Sequence, residues 1–104
     1  MSPWLVLSIA GLLEVAWALG LKYSDGFSRP MPTALTLLGA VASFVLLSRA
    51  MRDLPVGTAY AVWTGIGALG TAILAVVLFA EPVNAMRVAG VALIVAGIAA
   101  LKLA

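Results

Sequence analysis

The sequence predicts an all-α membrane protein with four transmembrane helices in a single domain spanning residues 1–104. Of these residues 64% are hydrophobic and only 10% are charged, whereas soluble domains carry about 25% charged residues. The charges cluster between four apolar stretches, and these stretches predict helices at about 3–21, 31–48, 57–80 and 86–104. Each stretch is close to the ~20 residues that an α-helix needs to cross a bilayer.

Composition excludes several classes of function. A net charge of +2 is too small and too scattered to bind nucleic acid. The chain has no cysteine and no histidine, so we expect no disulfide, no metal site and no cofactor. No pairing of a nucleophile with a base is visible, which argues against an enzyme. The first apolar stretch lacks a preceding basic segment and contains an acid, so it is not interpreted as a signal peptide.

Helix 1 contains one ionisable residue, Glu14, inside the apolar run 3–21. On a helix, Gly11 and Trp17 lie three positions from Glu14 and share its face. A carboxylate at membrane depth is costly, and it is found where it pairs, takes up a proton or faces a water-filled cavity. We therefore predict that Glu14 is the functional carboxylate. The alternatives are an interfacial glutamate or one satisfied by a neighbouring helix.

Helix 2 follows a connection whose Asp25-Gly26 pair favours a turn, and its prolines suit a first helical turn. Gly39 and Ser43 lie four apart, a spacing that allows another helix to approach closely. The Ser43 hydroxyl has two possible partners. It either bonds back to its own helix or donates to a carboxylate on a neighbouring helix.

Helix 3 follows a short connection at 49–55, which predicts that helices 2 and 3 are antiparallel neighbours. Tyr60, Trp63 and Gly67 fall on one face of this helix. An aromatic belt at the membrane interface would explain Tyr60 better than Trp63, which lies deeper. Gly65 and Gly67 are in mid-helix, where they serve either close packing or a hinge.

Helix 4 is predicted to begin at the N-cap residue Asn84, after the helix-stopping Pro82. Gly90 and Gly97 lie seven apart on one face, with no charged or aromatic residue between them. Such a face is suited to packing against another helix rather than to lining a pocket.

The basic residues are divided equally between the two ends of the predicted bundle. One end carries Arg49, Arg52 and Lys102, and the other carries three more, namely Lys22, Arg29 and Arg87. Because the Lys/Arg bias of short loops sets orientation, this balance permits insertion in both directions. Two copies could then pair antiparallel, joined by helix 4, around a cavity that holds two Glu14 carboxylates.

Such a cavity suits exchange of a cation for protons, because both bind a carboxylate. Ser43, Tyr60, Trp17 and Trp63 provide polar groups for a small planar cation of the guanidinium type, which bonds carboxylates in a bidentate manner. A bulky aromatic or quaternary ammonium ion would need a looser, more apolar pocket. The residues favour the small planar ion.

The chain resembles the small multidrug resistance family along essentially its whole length. The resemblance is carried by Gly11-Leu-Leu-Glu-Val-Ala-Trp17, by the stretch from Leu54 to Gly67 and by Glu81-Pro82. The residues Gly11, Trp17 and Ser43 around the acid are similar to those of its guanidinium exporter subtype. Polyaromatic drug exporters of the family usually have a small residue at the position of Trp17.

The resemblance implies an antiparallel homodimer in the bacterial cytoplasmic membrane that exports guanidinium in exchange for protons. It implies a shared proton and substrate site formed by Glu14, Gly11, Trp17, Ser43, Tyr60 and Trp63. It also implies a hinge at Gly65 and Gly67 and a dimer interface at Gly90 and Gly97. The alternative within the family is a multidrug or quaternary ammonium exporter. A rotor-type proteolipid and a structural subunit are the alternatives outside it.

Overall fold

The computed structural model describes residues 1–104 and contains four helices. In chain order they are α1 (Pro3–Tyr23), α2 (Pro30–Ala50), α3 (Val56–Phe79) and α4 (Ala85–Leu103). Each of the four is long and apolar enough to cross a membrane. The prediction of an all-helical chain with four spans is therefore confirmed, and the predicted bounds differ from the observed ones by two residues or fewer.

The ends of the helices follow local signals in the sequence. Asn84 is the predicted cap of α4, and its side-chain oxygen accepts the backbone N–H of Arg87 at 2.9 Å. Pro30 occupies the first turn of α2, where a missing N–H costs little. The turn before α2 has positive φ angles at Asp25, Gly26 and Phe27, in agreement with the predicted Asp-Gly turn.

Helix α1 is the centre of the bundle. It packs closely on both α2 and α3, whereas α2 and α3 contact each other much less and α4 packs mainly on α3. The prediction that α2 and α3 are antiparallel neighbours is confirmed, but their contact is smaller than the contact that each of them makes with α1. Small residues on α1 explain the difference, because Ala10 admits Ser43 of α2 and Gly11 admits Ile66 of α3.

The buried core lies between α1, α2 and α3, towards the end of the bundle that carries residues 1–2 and the connection 51–55. Its members are apolar or aromatic side chains, namely Leu7, Ala10, Leu47, Ala50, Ala59, Val62 and Trp63. No residue of α4 is buried. One chain therefore leaves an entire helix with its surface largely uncovered.

Cation–π contacts tie helices together at the two ends of the bundle. The Lys102 ammonium lies 5.5 Å from the ring centre of Trp4, which brings the end of α4 to the beginning of α1. The Lys22 ammonium lies 5.6 Å from the ring centre of Phe79, which joins the ends of α1 and α3. Successive helices therefore run in opposite directions, and the basic residues divide between the ends as the sequence predicted.

Candidate functional site

Glu14 lies at the contact between α1 and α3, with its side chain against the backbone of Gly67. An added Cβ at Gly67 would overlap Oε1 of Glu14 and would lie 2.7 Å from its Cγ. Oε1 is buried and accepts no hydrogen bond. The missing side chain at position 67 thus provides the space that the carboxylate occupies, and it leaves a buried acceptor without a donor.

Two further glycines bring α1 and α3 together on either side of this contact. Gly11 packs against Ile66, whose Cβ lies 2.7 Å from the position of an added Cβ, and Gly70 packs against Val15. The family resemblance implied that Gly11 belongs to the binding site. In the structure Gly11 contacts Ile66, and the close approach that it allows brings Glu14 to Gly67.

The Ser43 hydroxyl links three helices. It donates to the main-chain carbonyl of Ala10 on α1 at 2.7 Å and accepts the indole N–H of Trp63 on α3 at 2.9 Å. Neither expected partner is correct, since Ser43 bonds neither to its own helix nor to the Glu14 carboxylate. The buried Trp63 indole is large enough for its N–H to reach the Ser43 hydroxyl from α3. The Ala10 carbonyl, to which the hydroxyl donates, lies one turn before Glu14 on α1. The hydroxyl therefore fixes the backbone that carries the acid.

A row of aromatic rings extends from the side of the carboxylate towards the surface. Ring centres are 6.1 Å apart for Trp17 and Phe44, 5.4 Å for Phe44 and Trp63, and 5.6 Å for Tyr60 and Trp63. The last of these confirms that Tyr60 and Trp63 share a face. Trp63 is 4% exposed and Tyr60 is 54% exposed. This agrees with the expectation that Tyr60 suits an interfacial aromatic belt and that Trp63 lies deeper.

Phe44 is the contact that sequence analysis missed. Its ring lies between the indoles of Trp17 and Trp63, which are on two different helices. Its position directly after Ser43 was the only signal in the sequence. No spacing rule predicts a contact that depends on how three helices meet.

The indole N–H of Trp17 is a second buried polar group without a partner. It lies three residues after Glu14, on the same face of α1. The site therefore offers an unpaired buried acceptor and an unpaired buried donor, together with the π-faces of several aromatic rings. An acceptor and aromatic faces favour a cation or a proton. Glu14 is the only acid within the four helices, and no cluster of acids suited to a metal ion is present.

The other predicted residues lie on α3 and α4. Helix α3 is continuous from Val56 to Phe79, and Gly65 packs against Ile98 of α4, whose Cδ1 lies 2.8 Å from the position of an added Cβ. A hinge at Gly65 and Gly67 thus remains a prediction. Nothing lies within 4 Å of an added Cβ at Gly90 or Gly97, and their role in a dimer interface also remains a prediction.

Comparison with known proteins identifies related chains. Residues 2–94 match the model of the family described as Small Multidrug Resistance protein. The chain is 60% identical over 101 residues to a guanidinium exporter of Yersinia pseudotuberculosis, covering 97% of both chains. It is 60% identical over 100 residues to a guanidinium exporter of Escherichia coli, covering 96% of this chain and 95% of that one. A guanidinium exporter of Proteus vulgaris is 52% identical over 101 residues, with 97% of both chains covered.

These relatives are named as exporters and not as enzymes. Together with the four apolar helices, they place the chain in the bacterial inner membrane as a multi-pass protein. The match extends over the spans that carry Glu14, Ser43, Trp63 and Gly67. The chain belongs to the small multidrug resistance family of transporters.

Proposed function

We propose that this protein exports guanidinium ion and small guanidinyl compounds across the cytoplasmic membrane in exchange for protons. Glu14 is the shared site, and the proton and the cation compete for it. The working unit is an antiparallel homodimer. The identity of 60% to guanidinium exporters over nearly the whole chain supports the substrate.

The observation that carries the chemistry is the buried Oε1 atom of Glu14, which has no hydrogen-bond donor. A buried acceptor without a partner is costly, so a ligand that brings donors is favoured. Guanidinium has only donors, arranged in a plane that matches a carboxylate. A proton satisfies the same group by neutralising it. Binding of either one excludes the other, and alternate exposure of such a site is sufficient for exchange.

The surrounding groups have separable roles. Ser43 fixes the backbone of α1 at Ala10, one turn before the acid, and thereby sets the depth of Glu14. Trp17 keeps a free N–H, which a guanidinium ion cannot satisfy because that ion has no acceptor. The natural acceptor for this N–H is an ionised carboxylate, either Glu14 after a side-chain rotation or the Glu14 of a second copy.

The antiparallel homodimer is supported by two features. The basic residues divide equally between the ends of the bundle, so both orientations are open to the inserting chain. Helix α4 has no buried residue, and the positions beside Gly90 and Gly97 are open. A second copy packed on this face would bury apolar surface through small-residue contacts. Two copies would also bring two carboxylates to one cavity.

The test is transport by purified protein in liposomes under a proton gradient. Guanidinium is compared with a bulky quaternary aromatic cation, and Glu14→Gln is the matched control because it keeps the size of the side chain and removes its charge. We expect uptake of guanidinium driven by the gradient, loss of both binding and coupling in Glu14→Gln, and weaker guanidinium binding as the pH falls.

Three outcomes would contradict parts of the proposal. Exchange that survives in Glu14→Gln would remove Glu14 from the mechanism. Movement of the bulky cation alone would favour the multidrug alternative and would contradict the assignment of guanidinium. Guanidinium binding that is independent of pH would exclude competition with protons.

A further inference from the structure

Thr71 of α3 carries another buried polar atom without a hydrogen-bond partner, its hydroxyl oxygen. A threonine inside a helix commonly bonds back to the main-chain carbonyl one turn earlier, but Thr71 makes no such bond. An unpaired hydroxyl that is buried at membrane depth is costly. Because the atom is already covered by its own chain, its lack of a partner does not depend on what packs against α4.

The side chain of Thr71 begins one helical turn from the Glu14 carboxylate. An added Cβ at Gly67 would overlap Oε1 of Glu14, and Cβ positions four residues apart on a helix share a face. The Cβ of Thr71 is therefore roughly 5–6 Å from this oxygen. Its Cα–Cβ bond is tilted back towards position 67, since side chains of a helix lean to its N-terminal end. Gly70 holds the same turn of α3 against Val15, the residue after Glu14.

Two unpaired oxygens at this separation are too far apart to bond each other, because a direct hydrogen bond between oxygens needs about 2.5–3.0 Å. Both can accept from one ligand that carries donors on more than one edge. Guanidinium is such a ligand, since it is planar and all of its nitrogens carry N–H groups. A carboxylate satisfies the N–H groups on the edge that it faces. The N–H groups of the other edges still need acceptors, and a hydroxyl oxygen is one.

We propose that Thr71 is a further guanidinium-binding residue, whose hydroxyl accepts an N–H from an edge of the ion that Glu14 does not bind. This role rests on the proposed function, which supplies guanidinium as the ion. It adds to selectivity, because a quaternary ammonium ion has no N–H and gains nothing from the hydroxyl. The α3 helix then contributes a hydrogen bond to the substrate as well as the space at Gly67.

The test is isothermal titration of the purified protein and its variants with guanidinium at one fixed pH. Thr71→Val keeps the shape of the side chain and removes the hydroxyl. We expect it to lower guanidinium affinity about tenfold, because a hydrogen bond to a charged group is lost. Thr71→Ser keeps the hydroxyl and should bind within about threefold of the unaltered protein.

Thr36→Val is the matched control. It removes another buried hydroxyl that has no partner, but this one packs against Gly20 of α1. Gly20 is six residues after Glu14, which is about 9 Å along the helix axis, so guanidinium affinity should be unchanged. Denaturant unfolding checks for a structural role of Thr71. Since its hydroxyl has no partner to lose, Thr71→Val should be at least as stable as the unaltered protein.

Equal guanidinium affinities of Thr71→Val and Thr36→Val would overturn the proposal. A loss of affinity in Thr71→Val that Thr71→Ser shares, or that accompanies a fall in stability, would overturn it as well, because the hydroxyl would then not be the cause. Failure of the unaltered protein to bind guanidinium would give a different pattern, with no affinity to compare, and would refute the proposed function together with this role of Thr71.

Discussion

Replacing Gly67 with alanine adds one methyl group at the point where Glu14 contacts α3. The added Cβ would take the place of Oε1 and would lie 2.7 Å from Cγ of Glu14, which is 0.7 Å inside the 3.4 Å at which ordinary contact begins. The carboxyl group lies beyond Cγ and must move farther than Cγ does. Misplacement of a reacting group by about 1 Å costs about 100-fold in the most sensitive cases. We therefore expect guanidinium affinity to fall by about 10- to 100-fold.

The effect on folding should be smaller than the effect on binding. Alanine is favoured over glycine in a helix interior by about 1 kcal/mol, whereas overpacking costs about 1–3 kcal/mol. The free energy of unfolding should therefore fall by no more than about 2 kcal/mol. The atoms that must move belong to the end of one side chain and not to a backbone, so the variant should still fold.

Two other glycines of α3 provide matched controls. Gly57→Ala adds the same methyl group where nothing lies within 4 Å, and it should leave affinity unchanged. Gly65→Ala meets Cδ1 of Ile98 at 2.8 Å, the flexible end of a side chain on α4. Because this side chain can move without disturbing Glu14, affinity should stay within about threefold of the unaltered protein.

The assay is isothermal titration of each purified variant with guanidinium at one pH, together with denaturant unfolding followed by circular dichroism. The expected order of affinity loss is Gly67→Ala, then Gly65→Ala, then Gly57→Ala. Equal affinities for all three variants would refute the assignment of Gly67 as the space for the carboxylate. A uniform loss that follows stability would refute it as well.

Two further predictions concern other parts of the chain. Ser43→Ala should lower the free energy of unfolding by about 1–2 kcal/mol because it leaves the Trp63 N–H without an acceptor, whereas Ser8→Ala, which loses a bond within α1, should cost less than about 0.5 kcal/mol. A double-mutant cycle with Trp63→Phe measures the coupling, and zero coupling would contradict the observed bond. Replacing both Lys22 and Arg29 with alanine should bias insertion towards one orientation. A topology reporter that still shows an unaltered distribution would count against charge balance as the cause of insertion in both directions.

The features that sequence analysis predicted correctly are local ones. The four membrane spans are predicted from the hydropathy of windows of about 20 residues. The helix cap at Asn84 is predicted from the type of a single side chain. Glu14 was singled out on an equally local signal, a lone charge in an apolar run, and its functional role remains a prediction. None of these inferences requires knowledge of which helices touch.

The features that the sequence did not reveal depend on how helix faces meet. The partner of Ser43 is a carbonyl on another helix, and every residue of the chain has such a carbonyl. Phe44 lies between two indoles only because α1 and α3 both pack beside α2 at that level. The preference of α2 and α3 for α1 over each other reflects small residues such as Gly11, whose effect depends on what faces them.

The two mid-helix glycines of α3 have a mechanical consequence. Positions 65 and 67 are about 200° apart around a helix, so at one depth α3 presents bare backbone to α1 at Gly67 and to α4 at Gly65. Helix α3 is therefore in close contact with both α1 and α4 near the level of the carboxylate. A helix that pivots at this level moves one of its ends in the direction opposite to the other. The hinge predicted at Gly65 and Gly67 would therefore link the two ends of the proposed transport path through α3 itself, without any moving loop.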